Sequence, residues 1–496
     1  MDYRMLLTSY DHETARDAAA SNATSARVSQ QHRLYACLRA AILDGKIEEG
    51  TRLLSSRTLS DELHMARNSV LYAYERLATE GFVTSGRQGT VVARVSLEAT
   101  SRPPSHDIAA LSRRAMRIES TPDGMSDALP FLMGTPALDE FPLAQWRRCM
   151  ERALANLGPA QLGYMPVEGS AALRQAIAEY LRVSRGVRCE ASQVIVTDGT
   201  QSGFDLCART LADAGDTAWM EDPGYNRART SFRAADLEVV PIPVDVDGLA
   251  PRQEHWTASP PRLIYITPSH QYPLGAVMSL ERRRALLERA RDVGAWVIED
   301  DYDSEFRHQG TPLSALQGLS DDSRVIYLGT FSKVMFPALR IGFMVVPPGL
   351  VQGVRRAASG LLLRGRVAEQ MALAEFIEVG HFARHLRRMR RLYAERRDAL
   401  QSALEEHLDG VLTVSGGEGG MHLSTRLDVD VRDTVVSRKA REHGLVLRPL
   451  SGFCLDASAR ATYNGFVLGY GGVPASEMHG LARRLRGVID EVLDEQ

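Results

Sequence analysis

Short apolar segments alternate with helical segments over residues 126–496 of this chain. The apolar segments are VIVTD, TAWMED, LIYIT, AWVIED and VIYLGT, and helical stretches such as ERRRALLERARD separate them. Strands that alternate with helices of about ten or more residues form βα units, which pack as a largely parallel sheet. The pattern therefore predicts an α/β fold in which helices cover a mostly parallel central sheet.

Length and composition indicate a globular protein with more than one domain. The chain has 496 residues, of which 44% are hydrophobic and 24% are charged. A single domain usually takes roughly 100 to 200 residues. The chain has no apolar run of about 18 residues, and its N-terminus lacks the basic start and apolar core of a signal peptide. We therefore expect a cytoplasmic protein that does not enter a membrane.

Five cysteines are scattered along the chain without a CxxC pair. They are Cys37, Cys149, Cys189, Cys207 and Cys454. An odd number of dispersed cysteines argues against a disulfide framework and gives no support for a zinc site. We predict buried thiols and no bound metal.

Residues 30–96 carry the pattern of a winged helix. A helical run from His32 ends at Gly45, and SRTLSDEL and ARNSVLYAYERLATE follow as two short amphipathic helices. Two helices separated by a brief turn are the layout of a helix-turn-helix. The β-rich segments on either side of SGRQG predict a hairpin, which would form the wing. We predict a DNA-binding winged helix-turn-helix domain over residues 30–96.

The net charge of the chain is −3, so any nucleic-acid binding must be local. Residues 30–96 contain nine Lys and Arg and seven Asp and Glu, which leaves a net charge of +2. A recognition helix reads base edges with its N-terminal residues, and other basic side chains hold phosphates or a groove edge. A module that mediates only protein contacts is the alternative interpretation. The predicted DNA contacts are Arg57, Arg67, Asn68, Ser69, Tyr72, Arg87 and Gln88.

The segments on either side of this domain lack sustained periodicity. Residues 1–29 are rich in Ala, Ser, Thr and Asp, which predicts a mobile N-terminal arm with at most a short helical turn. Residues 97–125 mix Pro, Ser, Arg and Asp and are predicted to be an interdomain linker, with a helical turn in IAALSRRAM. The chain therefore divides into an arm, a winged helix, a linker and an α/β domain over residues 126–496.

Arginine supplies almost all of the positive charge, and the only lysines are Lys46, Lys333 and Lys439. Imine formation with an aldehyde cofactor needs a primary amine, which a guanidinium cannot supply. Lys333 follows the apolar segment VIYLGT and lies between Phe331 and Val334, which is a poor setting for a charge that faces solvent. Lys333 is therefore the candidate for a covalent bond to a cofactor.

Polar side chains follow the predicted strands at their carboxyl ends, where parallel sheets gather ligands. Asp300 and Tyr302 come at the end of one strand, and Lys333 follows the next. Gly199 and Thr200 begin a helix after VIVTD, where free backbone N–H groups favour a phosphate. Such a pair is by itself more often an ordinary helix cap. The prediction of a ligand site therefore rests on all of these polar groups together and not on the Gly199-Thr200 pair alone.

Together these groups match the needs of pyridoxal 5′-phosphate (PLP), with Lys333 as its Schiff-base lysine. A fixed carboxylate keeps the pyridine nitrogen protonated, and Asp300 is the candidate. Tyr302 is placed to donate to the phenolic oxygen, and Arg340 offers a guanidinium fork to the phosphate. Tyr225 in EDPGY is expected against the ring face. The remaining predicted contacts of PLP are Gly199, Thr200, Gln201, Thr330 and Ser332.

Residues 126–496 resemble the fold-type I aminotransferases through GYMPVEGSAALRQAIAEYL, TDGTQSGFDL, EDPGY, TPSHQYPLG, IEDDYDSEF and GTFSKVMFPALRIGF. The resemblance implies a small C-terminal α+β subdomain and a homodimer in which Tyr164 reaches the phosphate of the partner's cofactor. The winged-helix segment resembles the GntR family of bacterial repressors. It departs from that family at Leu54, where the family usually has a proline.

A GntR-type winged helix joined to an aminotransferase-like domain is the architecture of the MocR (GabR-like) regulators, which this chain resembles over nearly its whole length. The resemblance implies a head-to-tail, domain-swapped homodimer that binds a double-stranded DNA operator with two half-sites. It also implies an effector that is an amine, an amino acid or PLP itself. A PLP-dependent transcriptional regulator is thus the leading hypothesis. The alternatives are an aminotransferase with a vestigial winged helix and a DNA-binding protein whose enzyme-like domain has lost PLP.

One position departs from the aminotransferase pattern. Many aminotransferases bind the substrate α-carboxylate with an arginine in a strand near the C-terminus, and the comparable strand GFVLGYGG has Val467 there. Arg227 in EDPGYNRAR and Arg448 in VLRPLSGF are the candidates to replace it in binding an effector. The departure weakens the case for an amino-acid transaminase and favours a regulator.

Overall fold

The computed structural model describes residues 2–20, 29–86, 89–94, 112–116, 118, 129–308, 313–319, 324–361 and 365–495. The chain divides into two compact units, Met1–Ala110 and Leu111–Gln496. The boundary between them falls inside the predicted linker. Each unit has a hydrophobic core of its own.

In its described residues, the N-terminal unit packs four helices and a hairpin around one apolar core. The elements are α1 (Tyr3–Ala20), α2 (Gln30–Leu43), α3 (Ser56–Leu63), α4 (Arg67–Thr79), β1 (Val83–Gly86) and β2 (Gly89–Val92). The two strands pair antiparallel. The core contains Leu34, Leu38, Leu59, Val70 and Leu77. The helix-turn-helix and the wing hairpin therefore form where the sequence predicted them.

The N-terminal segment differs from the predicted arm. Residues Tyr3–Ala20 form a helix, and only 4% of the surface of Tyr3 is exposed, because its ring joins the core of the N-terminal unit. The backbone N–H of Tyr3 donates to the Glu62 carboxylate at 3.1 Å, and Arg33 forms an ion pair with Asp11. The segment is rich in alanine, which is the strongest helix former. Burial of one aromatic side chain then anchors the helix.

A short helix also forms within the predicted linker. The structure describes residues 112–116 and 118 of this segment, and Arg113–Met116 is the helix α5. It lies in IAALSRRAM, where a helical turn was predicted. The Nε atom of Arg114 donates to the Asp236 carboxylate at 2.9 Å, which ties α5 to the rest of the C-terminal unit.

A central sheet of eight strands organises the described part of the C-terminal unit. The strands are β3 (Val194–Thr197), β4 (Thr217–Asp222), β5 (Glu238–Asp245), β6 (Gly248–Leu249), β7 (Leu263–Ile266), β8 (Trp296–Asp301), β9 (Val325–Thr330) and β10 (Gly342–Val345). Their order is β3-β10-β9-β8-β7-β4-β5-β6. Strands β9, β8, β7, β4 and β5 run parallel, whereas β10 and β6 run antiparallel to their neighbours. The predicted mostly parallel sheet is confirmed.

Helices cover both faces of this sheet. Neighbouring residues of one strand belong to different apolar clusters, each of which includes helix residues. Tyr265 packs with Phe204 and Phe232, whereas Ile264 packs with Leu286. Alternate side chains of a strand point to opposite faces. The helices of this region are α6 (Leu143–Ala155), α7 (Ala171–Arg185), α8 (Thr200–Leu211), α9 (Asn226–Ala234), α10 (Gln253–Ala258), α11 (Leu280–Asp292), α12 (Val351–Leu361) and α13 (Val367–Glu378).

The C-terminal part forms a smaller α+β subdomain, as the resemblance implied. Its helices are α14 (His381–Leu408), α15 (Asp433–Glu442), α16 (Ala459–Thr462) and α17 (Met478–Asp494). Its strands are β11 (Leu412–Ser415), β12 (His422–Leu427), β13 (Arg448–Pro449) and β14 (Gly465–Gly469), in the antiparallel order β11-β12-β14-β13. None of the helices in the described residues combines the length and apolar character needed to span a membrane.

Candidate functional site

Several strand ends meet at one edge of the central sheet. Strands β3 and β9 are both antiparallel to β10, and Gly342 at the start of β10 pairs with Thr197 on one side and Thr330 on the other. Strand β8 runs parallel to β9, with Asp300 in register with Leu328. The carboxyl ends of β3, β8 and β9 therefore lie side by side. This topology places the predicted PLP contacts that follow these strands at one edge of the sheet.

Lys333 lies just beyond β9 with its amine held against the backbone. Its Nζ atom donates to the carbonyl oxygen of Gly134 at 2.9 Å. A Cβ atom on residue 134 would lie 2.2 Å from this Nζ, so the amine occupies this position only because residue 134 is glycine. Burial lowers the pKa of Lys333 to about 8, although the nearby carboxylates of Asp303 and Asp300 act in the opposite direction. The amine is therefore a stronger nucleophile at neutral pH than an ordinary lysine.

Asp300 presents a buried carboxylate with one oxygen unpaired. Its Oδ2 atom accepts a hydrogen bond from the Tyr265 hydroxyl at 2.8 Å, whereas its Oδ1 atom has no partner among the described residues. Burial raises the pKa of Asp300 to about 7, and the bond from Tyr265 opposes this shift. A buried carboxylate oxygen without a donor is costly. A protonated pyridine nitrogen would supply that donor, so this site fits PLP.

Tyr302 is positioned by a buried histidine that the sequence analysis did not include. The Tyr302 hydroxyl lies 3.0 Å from Nδ1 of His270, and the same nitrogen lies 3.1 Å from Oδ1 of Asp303. The ring of His422 lies 5.1 Å from the ring of His270, centroid to centroid. Burial lowers the pKa of His422 to about 4, so this ring is neutral at physiological pH. His270 belongs to the motif TPSHQYPLG, which resembles the aminotransferases but did not predict a role for this residue.

A phosphate cradle lies beside these groups, at the start of α8. Gly199 precedes the helix with a φ of 82°. A Cβ atom on Gly342 would lie 2.9 Å from the Cα atom of Gly199, so the absence of side chains lets β10 approach the helix start. The guanidinium of Arg340 lies against Gly199 and donates to the carbonyl oxygen of Asp198 at 3.4 Å. Free N–H groups of the first helical turn and a guanidinium are the donors that a dianionic phosphate requires.

The other predicted PLP contacts lie at or beyond the carboxyl ends of strands of the central sheet. Tyr225 precedes α9, and burial raises its pKa to about 12, so its hydroxyl is protonated. The Nε2 atom of Gln201 donates to the Ser231 hydroxyl at 2.5 Å, which occupies one of its donors inside the domain. The hydroxyl of Thr330 accepts from the backbone N–H of Ser332 at 3.1 Å.

Three predicted ligand contacts come from elsewhere in the chain. Tyr164 is 98% exposed, so this chain does not bring it into its own site. Arg227 on α9 lies near Lys333, and Arg448 forms the start of β13. Both guanidinium groups lower the pKa of Tyr272, although burial raises that pKa by more. The positive charges of both arginines therefore act on one tyrosine of the candidate PLP site.

The N-terminal unit presents its predicted DNA contacts around the start of α3 and α4. Arg57, Arg67 and Asn68 are exposed, and Ser69 is half-buried. The Nε atom of Arg67 donates to the hydroxyl of Ser56 at 3.3 Å, which links the first turns of the two helices. The arrangement leaves the first turn of α4 open to a DNA groove.

Two tyrosines of this unit form hydrogen bonds that the sequence patterns did not predict. The hydroxyl of Tyr72 lies 3.1 Å from Nε2 of His32 and accepts from Arg76 at 3.3 Å, so its hydrogen-bonding capacity is used within the domain. The Tyr74 hydroxyl donates to the carbonyl oxygen of Leu54 at 2.8 Å. This bond ties the turn before α3 to α4, although leucine replaces the usual proline. The predicted contacts Arg87 and Gln88 lie outside the described residues.

Comparison with known proteins identifies both units. The family model for aminotransferase class I and II matches residues 130–466, and the model for bacterial regulatory proteins of the gntR family matches residues 30–92. The solved structure of LysN, the α-aminoadipate aminotransferase of Thermus thermophilus complexed with N-(5′-phosphopyridoxyl)-L-leucine, gives a TM-score of 0.71 at 29% identity. The match covers 78% of this chain and 98% of that chain.

Two regulators match over nearly the full length. The chain is 41% identical over 470 residues to the probable rhizopine catabolism regulatory protein MocR of Rhizobium meliloti, with 94% of each chain covered. It is 34% identical over 442 residues to the pyridoxine biosynthesis transcriptional regulator PdxR of Corynebacterium glutamicum, with 88% of this chain and 90% of that protein covered. The chain therefore belongs to the MocR-type transcriptional regulators of the GntR family, in which a winged helix-turn-helix is fused to a fold-type I aminotransferase-like domain.

Proposed function

We propose that this regulator carries PLP on Lys333 and that its C-terminal unit senses a small amine or amino acid, or PLP itself. The convergence of three groups at one sheet edge is the observation that supports the proposal. These groups are the buried amine of Lys333, the unpaired buried oxygen of Asp300 and the cradle formed by Gly199 and Arg340. When bound, PLP supplies an aldehyde that bonds reversibly with amines.

Each group of the chain has one task in this proposal. Lys333 supplies the amine, which its lowered pKa leaves partly unprotonated at neutral pH. Oδ1 of Asp300 would accept a hydrogen bond from the protonated pyridine nitrogen, which would keep its proton. Tyr302, held by His270, donates to the phenolic oxygen. Arg340 and the N-terminus of α8 hold the phosphate.

With PLP bound, an effector amine would form the bond to the aldehyde carbon and Lys333 would leave that carbon as a free amine. Such a ligand regulates DNA binding only through different affinities for two arrangements of the protein. The exposed ends of α3 and α4 support binding to DNA, with Arg67 at the start of the recognition helix. The task of the C-terminal unit is then to control how two winged helices reach their half-sites.

We also infer a head-to-tail, domain-swapped homodimer in the bacterial cytoplasm. The exposure of Tyr164 supports this inference, because its hydroxyl is available to a second chain. In the dimer, Tyr164 would reach the cofactor phosphate of the partner subunit. Two winged helices would then bind a DNA operator with two half-sites, whose spacing follows the geometry of the dimer.

The absorbance spectrum of the purified full-length protein with PLP tests the proposal. We expect a visible band that shifts when an effector amine is added, and borohydride reduction should fix the cofactor on Lys333. The variant Lys333→Ala should lose this adduct, whereas the control Lys46→Ala should keep it. A cofactor trapped on Lys46 or Lys439 would contradict the assignment.

DNA binding and turnover distinguish the regulator from an enzyme. We expect retention on a specific operator at physiological salt, altered by the amine that shifts the spectrum. Multi-turnover transamination at roughly 1 per second or faster, a rate typical of enzymes, without DNA retention would instead identify an aminotransferase with a vestigial winged helix.

A further inference from the structure

Two clusters of histidine and carboxylate side chains in the described part of the chain have the spacing of a metal site. The first contains His270 and belongs to the candidate PLP site, where its Nδ1 atom is already engaged by two neighbouring side chains. The second consists of Glu406, His407 and His479 and lies in the small C-terminal subdomain. We call the second group the helix-end cluster. The proposed function gives this cluster no task.

The apolar core of the small subdomain brings the helix-end cluster together. His407 lies in the last turn of α14, and His479 lies in the first turn of α17. Leu408 and Met478, which are their neighbours in sequence, are both fully buried in the same core. Packing therefore fixes the two helix ends relative to each other. Side chains on helices hold such a geometry more precisely than side chains on loops.

The donor atoms of the helix-end cluster form a nearly equilateral triangle. The Nε2 atom of His407 lies 3.3 Å from the Nδ1 atom of His479. One carboxylate oxygen of Glu406 lies 3.5 Å from Nε2 of His407, and the other lies 3.3 Å from Nδ1 of His479. Ligand atoms about 2.0 to 2.2 Å from a tetrahedral ion are about 3.3 to 3.6 Å apart. An ion can therefore contact all three side chains with little movement of the chain.

The donor types select the class of ion. Two imidazole nitrogens and one carboxylate suit zinc and similar transition metals, whereas calcium and magnesium prefer ligand sets made of oxygen. Three protein ligands leave a fourth tetrahedral position for water. The side chain of Glu406 is 60% exposed, so both an ion and a water molecule can reach the cluster from solvent.

We propose that Glu406, His407 and His479 bind a divalent transition-metal ion, of which Zn²⁺ is the best match. The ion joins the end of α14 to the start of α17 and stabilises the small subdomain, because a ligand that binds only the folded state stabilises that state. The scattered cysteines predicted no bound metal. The two histidines are 72 residues apart in the chain, so no local sequence pattern indicates their meeting.

Calorimetric titration of the full-length protein with Zn²⁺, after removal of any affinity tag and treatment with a chelator, tests this proposal. We expect one Zn²⁺ per chain and a melting temperature that rises with the Zn²⁺ concentration. Loss of a group that only supports a metal ligand costs about ten- to a hundredfold in affinity. His407→Ala and His479→Ala each remove a ligand itself, so each should weaken binding by about a hundredfold or more.

The absorbance of bound Co²⁺ measures the geometry of the site. Tetrahedral Co²⁺ absorbs visible light far more strongly than octahedral Co²⁺, so cofactor-free protein with Co²⁺ should show an intense band that His479→Ala lacks. His443→Ala is the matched control, because it removes an exposed histidine of the same subdomain that lies 3.0 Å from Glu491. This control should bind Zn²⁺ as the unaltered chain does.

The outcomes decide the proposal independently of the PLP site. A chain that binds no Zn²⁺ would overturn it, and so would Zn²⁺ binding that keeps its full strength in both His407→Ala and His479→Ala. Native circular dichroism and an unchanged melting temperature without metal show that each variant is folded. A loss of Zn²⁺ binding in these two variants but not in His443→Ala supports the proposal. The adduct at Lys333 is measured separately, so neither result depends on the other.

Discussion

The buried amine of Lys333 should capture PLP at neutral pH much faster than a lysine in solvent. The pKa of a lysine is ordinarily near 10.5, and burial lowers the pKa of Lys333 to about 8. At pH 7, about one Lys333 amine in eleven is then unprotonated, compared with about one exposed lysine amine in three thousand. The reactive fraction is therefore about 300-fold larger at Lys333.

The other two lysines offer no comparable amine. Lys439 lies 2.7 Å from a carboxylate oxygen of Glu491 and 2.9 Å from one of Glu495, and hydrogen bonds to these carboxylates raise its pKa. Lys46 lies 3.2 Å from the Asp44 carboxylate. Selectivity for Lys333 over Lys439 should thus follow from the opposite shifts of their pKa values.

The rate of PLP capture by the cofactor-free protein between about pH 6 and about pH 10 measures this effect. Below pH 8 protonation removes the reactive amine, so the rate should rise about tenfold per pH unit and become level above about pH 8. A lysine derivative measured in parallel corrects for the ionisation of PLP itself. A rate that still rises tenfold per unit at pH 10, or borohydride labelling of Lys439, would refute the reasoning.

Three substitutions test other parts of the site. Asp300→Ala removes a charge-assisted bond of about 1.5 to 3 kcal/mol and should weaken PLP binding about ten- to a hundredfold in equilibrium dialysis; an unchanged Kd would contradict the pairing with the pyridine nitrogen. Gly134→Ala places a Cβ atom 2.2 Å from the Lys333 amine, so the amine must move and the rate of PLP capture should change while circular dichroism stays native; an unchanged rate would show that the lysine has another position. Arg67→Ala should cost about 1 to 3 kcal/mol of operator binding with little loss on unrelated DNA; equal losses on both would make it a phosphate contact.

The sequence predicted those parts of the fold and site that local patterns encode. Asp300 and Lys333 follow apolar strands, and the carboxyl ends of parallel strands share one edge, so their meeting could be expected before the structure was known. Gly134 could not be expected, because it meets Lys333 across 199 residues of sequence without a local signal. Tyr265 lies within the strand LIYIT, where its apolar neighbours predict only a core residue.

Non-local packing also explains the features that differed. The antiparallel strand β10 is a short apolar segment, and its insertion between β3 and β9 depends on the whole sheet rather than on its own residues. Helix α1 depends on the burial of Tyr3 in the core of the N-terminal unit. The hydroxyl of Tyr72 is satisfied by His32, which is 40 residues away in the chain. Periodicity reports which face is apolar, but it does not identify the partner of a polar atom.

The two sides of the candidate site differ in how firmly they are held. Asp300 lies in β8, and Lys333 follows the neighbouring strand β9, and both strands lie in the interior of the central sheet, which fixes the cofactor side. Arg448 belongs to a two-residue strand at the edge of the small sheet. Edge elements with few ladder hydrogen bonds open more easily than a sheet interior. A ligand that reaches both Lys333 and Arg448 therefore joins a fixed element to an adaptable one, so its binding energy can favour one arrangement of the subdomain over another.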